Sequence, residues 1–127
     1  MLASMPLRCL IVDDNTSFLA ALQSVLEGPD LTVVGGATTA AEALRRNDEL
    51  RPEVVLLDIE LGEDSGLEVA RLLADHAIPA PPKVILISVH PEEDFADMVE
   101  ESPALGFIAK SDLSPAAVME VLRPASA

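Results

Sequence analysis

Apolar residues along this chain fall into two patterns that alternate. Short, mainly apolar runs, each the length of one strand, are separated by longer stretches in which apolar residues recur every three or four positions. The first pattern is typical of strands buried on both faces, and the second is typical of amphipathic helices. The predicted strands cover residues 7–12, 31–36, 54–57, 84–87 and 105–109. Strand and helix therefore alternate five times.

The predicted helices have recognisable ends. Thr39 and Ser65 each stand three positions before a glutamate, which is the spacing of a capping box. Ser114-Pro115 predicts the start of the last helix, because serine caps helices and proline fits the first helical position. Further expectations are a rigid connector at Pro79 to Pro82 and a fourth helix that begins at His90-Pro91-Glu92-Glu93, with Phe95, Met98 and Val99 on its inner face.

This alternation predicts a doubly wound α/β fold of the (βα)5 type, in which helices cover both faces of a five-stranded parallel sheet. At 127 residues the chain has the length of one domain. We assign residues 7–123 to that domain, residues 1–6 to an N-terminal extension and residues 124–127 to a tail or the start of a linker. In open parallel sheets, ligands bind beyond the carboxyl ends of the strands.

Polar residues stand at those carboxyl ends. Asp13 and Asp14 follow the first predicted strand, Asp58 the third, Ser88 the fourth and Lys110 the fifth. Two carboxylates ~4 Å apart repel by about 4 kcal/mol at an effective dielectric constant near 20, and a hard divalent cation such as Mg²⁺ relieves this repulsion. Together with a lysine and a hydroxyl, these groups are the parts of a phosphoryl-transfer site.

Charge and composition narrow the choice of partner. The formal net charge is −14, with only 8 Lys+Arg. We therefore expect no direct binding of this chain to nucleic acid or to a membrane, and attraction for metal cations and basic protein surfaces instead. No signal peptide is recognisable, and no apolar run approaches the ~20 residues of a membrane span, so we expect a cytoplasmic protein. The single cysteine, Cys9, is predicted to be buried and unreactive.

Taken together, these strand ends resemble those of the receiver domain of bacterial two-component response regulators. The resemblance covers residues 7–122, and its pieces occur in the family's order: Ile11-Val12-Asp13-Asp14, Leu56-Leu57-Asp58-Ile59 with Gly66 following, Ile87-Ser88, and Gly106-Phe107-Ile108-Ala109-Lys110. It implies a flavodoxin-like sheet with strand order 2-1-3-4-5. It also implies that Asp58 is the phosphoacceptor for a sensor histidine kinase.

The resemblance further implies a Mg²⁺ site. Asp14, Asp58 and the backbone carbonyl of Glu60 would hold the ion, and Asp13 would help through a water molecule. Lys110 would bind one oxygen of the phosphoryl group.

The resemblance finally implies a switch in which Ser88 and Phe107 move together. Ser88 would bind another phosphoryl oxygen, and Phe107 would pack inward behind it. This shift would bias a surface formed by the fourth helix, the fifth strand and the fifth helix, through which a homodimer could form. Since the product is a signalling state and not a released chemical, we do not expect an enzyme in the metabolic sense.

Each of these residues also has a simpler structural interpretation. Asp13 and Asp14 would suit the start of the following helix, Asp58 a turn, Lys110 a solvated surface position, Ser88 a capping hydroxyl and Phe107 the core.

Several residues depart from the family pattern. Gly62 stands where many receivers carry proline. Glycine in place of proline should loosen the loop that follows Asp58. Glu60 adds a carboxylate beside the pocket, and Phe107 replaces a tyrosine or histidine. His90 lies beside the pocket and could titrate near neutrality.

These departures keep open a second hypothesis, a pseudo-receiver that binds partners without being phosphorylated. A phosphate-ester hydrolase is a third hypothesis, but it would need an extra acid and a substrate cap, for which the chain has no room. Receivers also precede helix-turn-helix DNA-binding domains, which suggests transcription regulation. Whether this chain is a stand-alone or an excised receiver stays open.

Overall fold

The computed structural model of the protein describes residues 5–75 and 81–123. Five parallel strands form its central sheet, and two short antiparallel strands form a separate hairpin. The sheet strands are β1 (Leu7–Val12), β2 (Leu31–Ala37), β3 (Val54–Asp58), β6 (Lys83–Ser88) and β7 (Gly106–Ala109), and the hairpin strands are β4 (Glu60–Leu61) and β5 (Asp64–Ser65). The order across the sheet is β2-β1-β3-β6-β7. Counting only sheet strands, this is the predicted order 2-1-3-4-5, which is confirmed.

Helices cover both faces of this sheet. They are α1 (Thr16–Leu26), α2 (Ala40–Leu50), α3 (Gly66–Asp75), α4 (Ala96–Glu101) and α5 (Pro115–Leu122). Alternate residues of each strand enter different cores. Val55 and Leu57 of β3 pack in the cluster that contains residues of α2, α3 and α4. Val54 and Leu56 pack in the cluster that contains residues of α1 and α5. The doubly wound prediction is therefore confirmed, and no described helix is long and apolar enough to cross a membrane.

The predicted caps are present in altered form. Thr39 accepts a hydrogen bond from the backbone N–H of Glu42, as a capping box requires. The Glu42 carboxylate, however, accepts from the N–H of Thr38 and not from that of Thr39. Ser114 caps α5 and Pro115 occupies its first turn, as predicted. The starts of α2 and α5 are therefore readable from short-range sequence signals, because the groups that satisfy them lie within a few residues.

Around α4 the prediction is wrong in two respects. Glu92–Asp94 form a 3₁₀ turn, and α4 begins only at Ala96. Met98 is exposed, so it does not belong to the inner face, whereas Val99 is buried. With six residues, α4 offers fewer than two turns to the core, which leaves room for little more than one inner side chain. Of the predicted connector at Pro79 to Pro82, residues 79 and 80 lie outside the described residues.

The β4–β5 hairpin was not predicted from the sequence. Glu60 pairs with Ser65 and Leu61 with Asp64, and Gly62 adopts a φ of +62° in the turn between them. Leu61 is buried, which anchors the hairpin to the core. Gly62 thus provides a left-handed turn residue that only glycine adopts without strain.

Cys9 is fully buried in β1, as predicted. Burial raises the pKa of its thiol to about 12. The thiolate is the reactive form, so this cysteine stays protonated and inert near neutral pH.

Candidate functional site

Three carboxylates meet at the carboxyl end of the sheet. Asp13 directly follows β1 and Asp58 is the last residue of β3, and these two strands are hydrogen-bonded neighbours. One carboxylate oxygen from each of Asp13, Asp14 and Asp58 lies within 4.8 Å of the other two. Asp13 and Asp58 are buried, whereas Asp14 is exposed. Such a group of oxygen donors, open to solvent on one side, is suited to a hard divalent cation.

Lys110 brings a positive charge into the same pocket. Its Nζ lies 2.7 Å from Oδ2 of Asp13 and 2.9 Å from Oδ2 of Asp58, and only 11% of its side chain is exposed. Of the two ion pairs, the one with Asp58 also has the angles of a hydrogen bond. Lys110 follows β7, so its side chain reaches past the end of β6 to meet β3. Only the folded sheet brings these residues together.

The two buried carboxylates are held in the same way. Oδ1 of Asp13 accepts from the backbone N–H of Asn15, and Oδ1 of Asp58 accepts from that of Glu60. In both cases Oδ1 is satisfied by the following loop, and Oδ2 is left to face Lys110. The backbone after each strand therefore fixes the orientation of its carboxylate before any ligand arrives.

Burial alone shifts the pKa of Asp58 and the pKa of Lys110 in opposite directions. Burial raises the pKa of Asp58 and the Asp13 charge adds to this, although the Lys110 ammonium and the Glu60 N–H act in the lowering direction. Burial alone would lower the pKa of Lys110, but the carboxylates of Asp13 and Asp58 outweigh it and raise that pKa. Lys110 therefore remains charged at neutral pH, and the ionised form of Asp58 is held at a cost in free energy.

Gly66 allows the backbone to pass close behind Asp58. Its N–H donates to the carbonyl oxygen of Ile59 at 2.8 Å. A Cβ atom at position 66 would overlap the backbone carbonyl of Asp58. The glycine that follows Asp58 in the family pattern thus has a steric explanation here, because α3 begins directly against the end of β3.

Ser88 and Phe107 lie on the same face of the sheet. Ser88 is fully buried at the end of β6, and its Oγ accepts from the backbone N–H of His90 at 3.0 Å. Phe107 pairs in register with Leu86, two residues before Ser88, and packs partly buried against the core. Both residues therefore face the same side of the sheet, and their roles in a switch stay predictions.

An exposed pair stands at the rim of the pocket. Nε2 of His90 lies 3.4 Å from Oε1 of Glu60, and both side chains are more than half exposed. The His90 ring also packs at a tilt against Phe95, with 6.2 Å between ring centroids. This pair joins the segments that follow β3 and β6, at the level where the pocket opens to solvent.

One contact in the pocket was missed by sequence reasoning. The ring of Phe18, on α1, lies 4.6 Å from Nζ of Lys110. From the sequence, Phe18 is one of the apolar residues that recur at helical spacing before Gly28, and its partner stands at the far end of the chain. No local signal marks this contact, since only the folded sheet brings α1 and the end of β7 together.

Comparison with known proteins agrees with this geometry. The response regulator receiver domain family matches residues 9–123. Protein-glutamate methylesterase/protein-glutamine glutaminase of Thermotoga maritima is 35% identical over 107 residues, which cover 82% of this chain and 30% of that protein. Transcriptional regulatory protein LiaR of Bacillus subtilis is 29% identical over 121 residues, which cover 94% of this chain and 56% of that protein. The chain thus spans about a third to a half of the length of these relatives.

Solved structures give the same result. The signal receiver domain of the response regulator NarL from Mycobacterium tuberculosis superposes with a TM-score of 0.80 at 25% identity, covering 95% of this chain and all of that domain. The response regulator domain of CheB from Thermotoga maritima gives a TM-score of 0.78 at 26% identity, covering 92% of this chain and 94% of that domain. None of these comparisons favours the pseudo-receiver hypothesis. The resemblance predicted from the strand ends is confirmed, and the chain belongs to the receiver domain family of response regulators.

Proposed function

We propose that Asp58 accepts a phosphoryl group from a sensor histidine kinase. One observation carries this proposal: a buried carboxylate oxygen of Asp58 faces a lysine at 2.9 Å, and two further aspartates lie beside it. A nucleophile, a cation for the phosphoryl oxygens and donors for a metal are thus within reach of one another. Family membership supports the same reaction, because receiver domains accept phosphoryl groups from such kinases.

The donor set fits Mg²⁺. Asp14, Asp58 and the backbone carbonyl of Glu60 would hold the ion, with Asp13 acting through a water molecule. Three carboxylates share the pocket with a single lysine, so the site carries an excess of negative charge. A bound Mg²⁺ would offset that charge and the charge of the incoming phosphoryl oxygens.

In the transfer itself, a carboxylate oxygen of Asp58 bonds to phosphorus as the bond from phosphorus to the donor breaks. If the donor is a phosphohistidine, the leaving imidazole nitrogen keeps the electron pair and takes a proton. Lys110 then exchanges its contact with Asp58 for one with a phosphoryl oxygen. The hydroxyl of Ser88 accepts from His90 in the present state, so its own proton is available to donate to a second phosphoryl oxygen.

Output would occur through the face formed by α4, β7 and α5. Met98 and Leu105 on this side are exposed apolar residues, which a partner or a second copy of the chain would cover. A shift of Ser88 and Phe107 would change that face and with it the affinity for the partner. We place the domain in the cytoplasm as a signalling switch and not as a metabolic enzyme, with no direct contact to nucleic acid. A role in transcription would belong to a further domain.

Intact-mass spectrometry with acetyl phosphate and Mg²⁺ tests this proposal. The wild-type protein should gain one phosphoryl group, and the label should be lost in acid. Asp58→Asn should take up none, whereas Asp30→Asn, which removes an exposed carboxylate far from the pocket, should be labelled like the wild type. Full labelling of Asp58→Asn would contradict the assignment. Absence of both labelling and Mg²⁺ binding in the wild type would favour the pseudo-receiver.

A further inference from the structure

The ammonium group of Lys110 is enclosed on three sides. Two sides are the carboxylates of Asp13 and Asp58, and the third is the ring of Phe18, whose centroid lies 4.6 Å from Nζ. A cation within about 6 Å of the face of an aromatic ring is attracted by the ring's quadrupole, and more strongly where water is excluded. The half-buried Phe18 and the largely buried Lys110 side chain meet this condition.

The position of the ring is tied to the pocket. The backbone N–H of Phe18 donates to the side chain of Asn15, which caps α1. The N–H of Asn15 in turn donates to Oδ1 of Asp13, and Oδ2 of Asp13 pairs with Lys110. These contacts connect Asn15, Asp13, Lys110 and Phe18 in a closed series. Asn15, whose N–H donates to the Asp13 carboxylate, also accepts from the N–H of Phe18, and the Phe18 ring lies against Lys110.

We propose that Phe18 is a positioning residue that holds the Lys110 ammonium at the pocket while its oxygen partner changes. This inference rests on the proposed function, in which Lys110 leaves Asp58 for a phosphoryl oxygen. Of the two carboxylate partners of Lys110, Asp58 cannot supply a constant contact, because it is the group that reacts. The face of a ring attracts the ammonium without fixed hydrogen-bond geometry, so Nζ can turn its protons from one oxygen to another while it stays over the ring.

The alternative is that Phe18 serves only the core, since it also packs against the cluster between the sheet, α1 and α5. Substitutions can separate these roles. Phe18→Leu keeps an apolar side chain and removes the ring, whereas Phe18→Tyr keeps the ring. Leu19→Ala is the matched control, because it removes packing from the neighbouring position of α1 and leaves the ring over Lys110 in place.

Nuclear magnetic resonance tests the contact without any reaction. Protons beside Nζ of Lys110 should show an upfield ring-current shift in the wild type, in Phe18→Tyr and in Leu19→Ala, and this shift should be lost in Phe18→Leu. Loss of the shift in Phe18→Leu establishes the contact, and labelling kinetics separate a positioning role from a purely structural one. Absence of the shift in the wild type would overturn the proposal.

Labelling kinetics with acetyl phosphate and Mg²⁺ test the consequence. Phe18→Leu should be labelled roughly three- to tenfold more slowly, in line with the strength of a partly desolvated cation–π contact. Phe18→Tyr and Leu19→Ala should stay within about twofold of the wild type, and Mg²⁺ affinity should be unchanged in all three variants. Equal rates for Phe18→Leu and the wild type, or equal slowing by Leu19→Ala, would contradict a positioning role. If the wild type takes up no phosphoryl group, the proposed function fails and the positioning role fails with it, whereas a labelled wild type with equally fast labelling of Phe18→Leu overturns the positioning role alone.

Discussion

The two ends of the central sheet are built in contrasting ways. At the amino ends of the strands lies a cavity of about 750 Å³, lined by apolar side chains such as Leu7, Val54 and Leu122. The charged residues around it, among them Lys83, are exposed. At the carboxyl ends, two carboxylates and an ammonium are buried in direct contact.

This contrast separates apolar volume from buried charge, because the cavity lies at one end of the sheet and the buried charges lie at the other. Burying a charge costs free energy unless partners offset it, so a fold that gathers several buried charges does so against its own stability. Perturbed ionisable groups accordingly cluster at functional sites. We therefore expect the chemistry at the carboxyl end, although a cavity of about 750 Å³ lies at the amino end.

The largest expected effect tests the tight backbone approach that builds the carboxyl end. Gly66→Ala places a Cβ atom against the carbonyl of Asp58, and the obstacle is backbone that cannot move aside cheaply. We expect the free energy of unfolding to fall by about 4 kcal/mol, as for severe overpacking. Urea denaturation measures this loss. Gly28→Ala is the control, since a Cβ atom there meets nothing within 4 Å; equal losses for both variants would contradict the steric explanation.

The next effect compares one lysine from each end of the sheet. Lys110→Met leaves the carboxylates of Asp13 and Asp58 buried beside each other without a cation. We expect a loss of about 2 kcal/mol in Mg²⁺-free buffer, less than for a fully enclosed ion pair because the pocket opens to water. Added Mg²⁺ should restore part of this loss by replacing the missing charge.

Lys83→Met at the amino end is the matched control. Its side chain is exposed beside the cavity, so the free energy of unfolding should change by less than about 0.5 kcal/mol. Thermal melts of both variants with and without Mg²⁺ make the comparison. A Lys83→Met loss as large as that of Lys110→Met would mean that the two ends do not differ as described.

A feature of this contrast is predictable from the sequence when the residues that determine it are neighbours along the chain. Buried strands and the polar residues that end them are local patterns, which identified the candidates Asp13, Asp14, Asp58, Ser88 and Lys110. The sheet order came from the family resemblance. The contact between Phe18 and Lys110 was not predictable, because it depends on how α1 packs beside the end of β7.

Two short elements near the pocket were also missed or misplaced, for a different reason. The β4–β5 hairpin has only two residues in each strand, too few for an alternating pattern to be recognised. The start of α4 was placed too early because proline followed by acidic residues suits a 3₁₀ turn as well as a helix. In the hairpin, the burial of Leu61 is a tertiary contact that no short-range pattern predicts.

A smaller effect concerns the cost of the Asp58 charge. Because burial raises the pKa of Asp58, the fold favours its protonated form, and this contribution to stability is fully present below pH 3.8 and lost as the pH rises through the folded-state pKa. Asp58→Asn should therefore be more stable than the wild type near neutral pH without Mg²⁺. The difference should shrink as the pH is lowered towards 3.8.

Thermal melts across this pH range, with Asp30→Asn as the exposed control, measure the difference. A wild type that is more stable than Asp58→Asn at neutral pH would show that the ion pair with Lys110 outweighs burial. That result would mean that the Asp58 charge stabilises the fold, and it would weaken the contrast between the two ends of the sheet.

The smallest effect separates buried from exposed charge within the carboxyl end itself. His90 and Glu60 lie 3.4 Å apart, only slightly farther than the buried pairs, but both side chains are more than half exposed. Exposed ion pairs gain little because water screens them, so His90→Gln should change the free energy of unfolding by less than about 0.5 kcal/mol. Urea denaturation at low and high salt measures this. A loss comparable with that of Lys110→Met would mean that proximity to the pocket, and not burial, decides what a charge contributes here.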